Sequence, residues 1–166
     1  NHTYSTDSWF QYTVPNYYYR MNEDGSFSNG SGCSNDTASE HLMFRKYMID
    51  SVTYWAKEYH IDGFRFDLMG LHDLQTMQEI EKAVHEVNPE ALIYGEGWTM
   101  GATVDGSAQA NQGNISKITP HGIGAVAVFN DVIRDGLKGS TFDTLSTGFI
   151  SGSYAANKLK IQFGIN

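Results

Sequence analysis

The sequence predicts an α/β fold built around a parallel sheet. Short apolar runs typical of β-strands alternate along the chain with stretches in which apolar residues recur every three or four positions. That recurrence is the period of an amphipathic helix, and strands that alternate with such helices form parallel sheets. Two of the predicted strands are followed by a carboxylate, so the carboxyl edge of the sheet is the place to look for function.

The elements can be predicted in order along the chain. Residues 1–36 are rich in Tyr, Asn, Ser and Gly and predict a long loop, a feature that is usually functional in a compact domain. Thr37 and Glu40 have the spacing of a capping box at the start of the first helix. Asp73 and Asp131 are the predicted N-caps of two later helices. The predicted strands are 61–67, 91–94 and 125–129, and the predicted helices are 39–59, 73–87 and 131–138, with another near 154–161.

Composition excludes several classes of protein. The chain has 166 residues, of which 40% are hydrophobic and 18% charged, as in globular domains. Its net charge is -8 with no basic cluster, which argues against a nucleic-acid partner. No apolar run is long enough for a membrane span, and the single Cys33 excludes an internal disulfide framework. A cytoplasmic location and a secreted or cell-surface one both stay open.

Two carboxylates have the surroundings expected of a glycosidase pair. Asp67 ends the run Asp62-Gly-Phe-Arg-Phe-Asp, in which strand alternation places Arg65 and Asp67 on the same face. Glu96 stands between two glycines after the next strand. Hydrolysis of a sugar acetal needs an ionised nucleophile, which a guanidinium favours, and a protonated acid, which partial burial favours. Asp67 and Glu96 are therefore predicted to be nucleophile and acid/base.

The same runs resemble a known family. Residues 62–70 resemble the second signature region of the α-amylase superfamily (glycoside hydrolase family 13), and residues 94–98 resemble its third. The spacing of 29 residues between the two carboxylates (96 minus 67) fits the debranching branch. The runs "DLMG", "YGEGW", "PNYYYR" and "FNDVIRDGLKG" are together similar to the type I pullulanases. The resemblance extends over nearly the whole chain.

The resemblance implies a fold and a domain organisation. It predicts a partial (β/α)8 (TIM) barrel that runs from the end of strand 3 to the helix after strand 6. The whole chain, 1–166, would then be a fragment of the catalytic barrel domain. In that alignment, 1–36 is the loop after strand 3 and 37–166 contains the βα units.

The resemblance also implies roles for individual residues. Asp67 becomes the nucleophile and Glu96 the acid/base, whereas without the motif a helix cap or a structural ion pair would explain Asp67 equally well. The predicted substrate-binding residues are His2, Arg65, Trp98 and Met69. His2 could equally be a frayed terminal residue and Met69 a packing residue. The histidines at 60, 72 and 85 lack zinc-site spacing and are expected to be solvated or to cap helices.

Departures from the family pattern limit the predicted activity. The first signature region is reduced to Asn1-His2, and the His-Asp pair that carries a third catalytic carboxylate has no counterpart. The isolated chain is therefore expected to show weak hydrolysis or none. A half barrel would also leave strand edges unpaired, which predicts self-association.

The partner expected from the resemblance is an α-glucan polysaccharide or oligosaccharide cleaved at α-1,6 branch points, with no nucleic acid and no membrane span. No cofactor is required, and calcium is allowed as an accessory ion. Two alternatives stay open. One is another superfamily enzyme, an α-1,4-acting amylase or a branching enzyme. The other, for the fragment alone, is a non-catalytic α-glucan-binding module.

Overall fold

The computed structural model describes residues 8–101, 106–122 and 126–165. The chain forms two compact units, Asn1–Val128 and Phe129–Asn166. The first unit contains α1 (Trp9–Thr13), α2 (Leu42–Tyr59), β1 (Gly63–Phe66), α3 (Leu74–Val87), β2 (Leu92–Gly95) and β3 (Ala127–Val128). The second unit contains α4 (Asp131–Lys138) and α5 (Tyr154–Ile165).

The three strands form one parallel sheet in the order β1, β2, β3. The register aligns Phe66 with Gly95, and Gly95 in turn with Val128. The predicted α/β class with a parallel sheet is thus confirmed. β1 and β3 are shorter than predicted, because only the residues that face a partner strand take part in the ladder, and β2 has the predicted length but begins one residue later.

One apolar cluster forms the core of the first unit. Phe64 and Phe66 pack against it from β1, on the face opposite Arg65, as strand alternation predicts. The described parts of the segment between β2 and β3 also contribute to the core, through Ala110, Ile115 and Ile118. The buried members of the cluster are Val52, Met69, Met77, Ile80, Val84, Ala91, Ile93, Ala110, Ile115, Ile118 and Val126.

Helix α2 begins three residues later than predicted, because the capping box does not form. The N-cap is His41, whose side chain makes no cap hydrogen bond. The Glu40 carboxylate is bound instead by Arg20, with Nε 3.0 Å from Oε1 and Nη2 2.8 Å from Oε2. A two-pronged bond to a nearly buried guanidinium is stronger than a cap hydrogen bond, so the preceding loop decides where Glu40 points.

The apolar face predicted for α2 is only partly buried. Phe44 and Val52 are buried, and Met48 packs against the core cluster. Trp55 and Tyr59, which continue the same spacing, are 42% and 58% exposed. The period of the helix was correctly predicted, but the core does not extend along its whole length.

The predicted long loop at the start of the chain is more ordered than expected in its described part. It contains α1 and a set of turns held by the carboxylate of Asp36, which is 1% exposed. This carboxylate accepts hydrogen bonds from the Ser28 hydroxyl (2.6 Å) and from the N–H groups of Gly30 (2.6 Å) and Ser31 (3.1 Å). A buried anion with three donors therefore organises a segment that has few apolar residues.

Helix α3 starts as predicted, with Asp73 as its N-cap. The Asp73 carboxylate accepts a hydrogen bond from the N–H of Thr76 at 2.9 Å. The same carboxylate receives the Ser39 hydroxyl at 2.8 Å and the Arg45 guanidinium at 3.1 Å. The cap thus also joins α3 to α2 and to the segment that precedes α2.

A buried carboxylate lies on α3 at Glu81, which is 0% exposed. His85 lies with Nδ1 2.7 Å from Glu81 Oε1 and Nε2 2.9 Å from the carbonyl oxygen of Ala91. Both partners are acceptors, so a ring nitrogen that carries a proton donates at each contact. His121 adds a backbone N–H at 2.5 Å and Nδ1 at 2.6 Å to the same carboxylate. This network, Glu81 with His85 and His121, attaches the segment before β3 to α3.

The expectation of solvated or capping histidines is confirmed for His60, which is exposed at the C-cap of α2, and for His72, which is the C-cap of the 3-10 turn Met69–Leu71. His85 is buried, and its ring contacts the Glu81 carboxylate through Nδ1 and the carbonyl of Ala91 through Nε2. Burial alone raises the pKa of Glu81, but the hydrogen bonds from His121 and His85 outweigh it and hold that pKa below its ordinary value.

In the second unit, α4 packs against α5. The prediction that Asp131 caps α4 is wrong. The N-cap is Asn130, whose side chain accepts the N–H of Ile133 at 3.0 Å and donates to the carbonyl of Gly164 at 2.6 Å. Asp131 is the first helical residue and pairs with Arg134 at 2.9 Å. The amide of Asn130 can do both because it is donor and acceptor, which a carboxylate is not.

We expect Glu81→Gln to lower the free energy of unfolding at pH 7 by about 3 kcal/mol, because it replaces the buried carboxylate that binds His85 and His121 with a neutral amide that has only one acceptor oxygen. The measurement is urea unfolding followed by circular dichroism. Glu86→Gln is the matched control, since the Glu86 side chain is 65% exposed and its loss should cost less than about 0.5 kcal/mol. Equal effects of the two substitutions would contradict the role given to Glu81.

Candidate active site

The two predicted carboxylates follow neighbouring strands at the same edge of the sheet. Phe66 and Gly95 are paired in the β1–β2 register, and Asp67 and Glu96 are the next residues of the two strands. Since both strands run in the same direction, their carboxyl ends coincide. The structure therefore brings Asp67 and Glu96 together.

Arg65 joins the two carboxylates. Its Nη1 contacts Oδ1 of Asp67, and its Nη2 lies 3.0 Å from Oε1 of Glu96. The side chain of Asp67 is 74% exposed and that of Glu96 is 21% exposed. One carboxylate is thus open to a ligand and the other is partly enclosed, and a single cation offsets the repulsion between them.

Glu96 is held by the turn that follows Asp67. Its Oε2 accepts the backbone N–H of Leu68 at 2.8 Å. The main chain of Glu96 donates to the carbonyl of Phe66 (3.1 Å) and accepts from the N–H of Gly70 (2.8 Å). The acid/base candidate is therefore bonded through both its backbone and its side chain to the segment that carries the nucleophile candidate.

The glycines around Glu96 serve close packing. A Cβ at Gly95 would lie 2.5 Å from the carbonyl oxygen of Phe66, and one at Gly97 would lie 2.6 Å from Val128 Cγ1. A Cβ at Gly70 would overlap the carbonyl oxygen of Trp98. These contacts involve protein atoms, so here the glycines let neighbouring strands and turns approach one another.

The other predicted site residues have different positions. Met69 is 0% exposed and belongs to the core cluster, which corrects its assignment as a substrate contact: no part of its side chain reaches the surface. Trp98 is half-buried two residues after Glu96, at the same edge as the carboxylates. His2 lies outside the described residues.

A small cleft beside Asp67 was not predicted from the sequence. Its volume is about 230 Å³, and Asp67, Phe44 and Met48 are among its lining residues, together with Leu71 and His72. Nothing in the local sequence marks this cleft, because its walls come from α2 and from the turn after β1.

His72 lines the same cleft, a position that the sequence did not indicate. Its Nδ1 is buried and has no hydrogen-bond partner in the described structure. Burial, with a smaller contribution from the Arg20 cation, lowers the pKa of His72 to about 4. The ring is therefore neutral near neutral pH, in the wall of the cleft beside Asp67.

Metal and membrane features are absent from the part of the chain that is described. Within residues 8–101, 106–122 and 126–165, no group of three or more His, Cys, Asp or Glu side chains could hold a metal ion. The acidic run at 22–26 forms a turn, in which the N–H of Ser26 bonds to Asp24 Oδ1 at 2.9 Å. None of the described helices is long and apolar enough to cross a membrane. Accessory calcium stays a prediction.

Comparison with known proteins gives a consistent result. The chain is 42% identical over 154 residues to a pullulanase of Bacillus subtilis (strain 168), a match that covers 92% of this chain and 21% of the relative. A pullulanase from Anoxybacillus sp. LM18-11 complexed with maltotetraose has a TM-score of 0.88 and 44% identity, over 95% of this chain and 22% of that one. No family model matches the chain.

A further solved structure, type I pullulanase from Bacillus subtilis str. 168 complexed with maltose, has a TM-score of 0.83 and 40% identity over 90% of this chain and 20% of that one. The chain is thus similar to glycoside hydrolases. More particularly, it is homologous to pullulanases, and the resemblance drawn from its motifs is confirmed. It spans about a fifth of the length of the relatives it matches.

We expect acid to destabilise the fold through His72 at a pH well above the carboxyl range. The unfolded histidine takes up a proton below pH 6.5, whereas the folded one takes it up only near pH 4. The contribution of His72 to the free energy of unfolding is therefore fully present above pH 6.5 and is lost as the pH is lowered from 6.5 to about 4. By pH 5 the loss should be about 2 kcal/mol. Urea unfolding at pH 7.5 and pH 5 would measure it.

In His72→Gln most of this pH dependence should disappear, because glutamine does not titrate. His60→Gln, at an exposed histidine, should leave it intact. The same acid sensitivity in His72→Gln as in the unmodified chain would contradict the assignment.

Proposed function

We propose that this chain is part of the catalytic domain of a retaining glycoside hydrolase that cleaves α-1,6-glucosidic branch linkages in pullulan, glycogen or branched dextrins. The observation that carries the proposal is the arrangement of Asp67 and Glu96 on neighbouring strand ends with Arg65 between them. Identity of 40–44% to pullulanases, two of them solved with maltose or maltotetraose, supports the substrate class.

The proposed mechanism assigns one task to each carboxyl group. Asp67, exposed and beside a guanidinium, attacks the anomeric carbon while Glu96 gives a proton to the leaving glycosidic oxygen. Water then attacks the anomeric carbon while Glu96 takes its proton, and the bond between that carbon and Asp67 breaks, which releases the sugar with retained configuration. This chemistry predicts carboxyl groups about 5–5.5 Å apart.

Arg65 supports both halves of this cycle. While Glu96 is charged, the guanidinium interacts with both anions. When Glu96 holds a proton, the attraction to Asp67 remains and keeps the nucleophile ionised. In the same proposal, Trp98 offers a ring to the leaving-side sugar and His2 lines the subsite of the reacting sugar.

The barrel is part of the proposal. Three parallel strands with the candidate residues at their carboxyl ends fit a segment of a (β/α)8 barrel, whose chemistry is located at that rim. The segment would run from the end of strand 3 to the helix after strand 6, with both compact units inside the catalytic domain. The third carboxylate of the family would then lie in the remainder of a longer protein.

The test of this function is reducing-sugar release from pullulan, with linear amylose as the comparison for α-1,4 cleavage. The isolated chain should release little or no sugar, because loss of one member of a cooperating catalytic set costs several orders of magnitude. A chain extended to the length of its relatives should be active on pullulan, and Asp67→Asn or Glu96→Gln in it should lower the rate by at least about a thousandfold.

Two results would overturn the proposal. Cleavage of amylose but not of pullulan by the extended chain would favour an α-1,4-acting enzyme. Maltotriose binding without turnover in the extended chain, unchanged by Glu96→Gln, would favour a glucan-binding module.

We also propose that the isolated chain self-associates through β1, which forms one edge of the sheet. An open edge offers N–H and C=O groups to another chain. Sedimentation velocity should show dimers or larger species whose share grows with protein concentration. A purely monomeric chain across the concentration range would contradict this.

A further inference from the structure

We propose that Leu68 is a positioning residue for Glu96, whose backbone N–H holds the Glu96 carboxyl group in place in both its charged and its neutral form. This inference rests on the proposed function, because only an acid/base residue must keep its position through both forms. It assigns to the residue after the nucleophile candidate a role that depends on its backbone and not on its side chain.

The first observation is the conformation of Leu68. Its φ of 50° and ψ of 37° are left-handed, a conformation that costs a residue other than glycine roughly 1–2 kcal/mol. Such strain persists where surrounding contacts impose it, and it concentrates at functional sites. Here the conformation turns the chain directly after Asp67 and directs the N–H of Leu68 at Glu96.

The second observation is the number of bonds that converge on Glu96. Besides the N–H of Leu68 on Oε2 at 2.8 Å, the N–H of Gly70 reaches the Glu96 carbonyl at 2.8 Å. The N–H of Glu96 reaches the Phe66 carbonyl at 3.1 Å, and Arg65 approaches Oε1 at 3.0 Å. All these partners belong to one short segment on either side of Asp67.

The two side-chain contacts of Glu96 differ in what they require. The guanidinium of Arg65 attracts Glu96 mainly through charge, and that attraction weakens when Glu96 takes a proton. A backbone N–H is an uncharged donor, and a carboxyl oxygen accepts from it whether the group is ionised or protonated. The Leu68 contact is therefore the one suited to hold Glu96 throughout an acid/base cycle.

The experiment is NMR hydrogen exchange of the position-68 amide on the whole chain at neutral pH. In Glu96→Gln the side chain is neutral but keeps an acceptor oxygen, so protection should stay within about threefold of the unmodified chain. In Glu96→Ala the acceptor is gone, and exchange should be faster by about tenfold or more. In Arg65→Gln, which removes the charge contact only, protection of the Leu68 amide should be retained.

Two other amides serve as controls for the fold. The N–H of Leu71 bonds to the Leu68 carbonyl (2.9 Å) and reports on the turn, and the N–H of Thr76 bonds to Asp73 and reports on the start of α3. Both should stay protected in all three variants. Should Glu96→Ala also expose Leu71, the lost acceptor is measured by how much more the exchange rate rises at Leu68 than at Leu71, and an equal rise at both would overturn the proposal.

Equal loss of Leu68 protection in Glu96→Gln and Glu96→Ala would overturn the proposal, as would loss in Arg65→Gln. Exchange does not depend on turnover, so the outcome is separate from the pullulan assay. An inactive extended chain with the expected exchange pattern would count against the function only. An active one with exchange insensitive to residue 96 would count against the role of Leu68 only.

Discussion

The parallel register between β1 and β2 is the constraint on which the candidate site depends. Because Phe66 is paired with Gly95, the residues that follow them emerge side by side at one edge. Two neighbouring carboxylates repel each other. Arg65, the second-last residue of β1, provides the cation that both contact. A shift of the register by one residue would turn one of the carboxylates to the other face of the sheet.

Irregular segments around the sheet are held mainly by buried polar groups. Asp36 organises the turns before α2, the pair of Arg20 and Glu40 sets where α2 begins, and Glu81 attaches the segment before β3. Backbone N–H groups outside helices and strands need acceptors when they are buried, and a carboxylate can serve several of them. Several hydrogen-bond donors on each carboxylate offset the unfavourable free energy of burying its charge. These bonds fix the path of loops that have few apolar residues.

Of the two candidate carboxylates, Glu96 is held by several hydrogen bonds and Asp67 is exposed. Glu96 is bonded by its backbone and its side chain to the turn after Asp67, while the Asp67 side chain is largely exposed. This asymmetry suits the proposed chemistry, in which a nucleophile must reach a substrate carbon and an acid must stay aligned with a leaving oxygen. The neutral His72 in the adjoining cleft adds no charge that would compete with Arg65 for Asp67.

The sequence by itself determined the parallel α/β class, the Asp73 cap and the location of Asp67 and Glu96 at strand ends, because these follow from local periodicity and from short motifs. Tertiary structure decided what local patterns could not. It moved the start of α2, because Arg20 from the loop before this helix binds Glu40. It buried Met69 under the strands, left Trp55 exposed, and gave the cap of α4 to Asn130. The left-handed turn at Leu68 is likewise a tertiary result, since a leucine adopts that conformation only where contacts from another strand impose it.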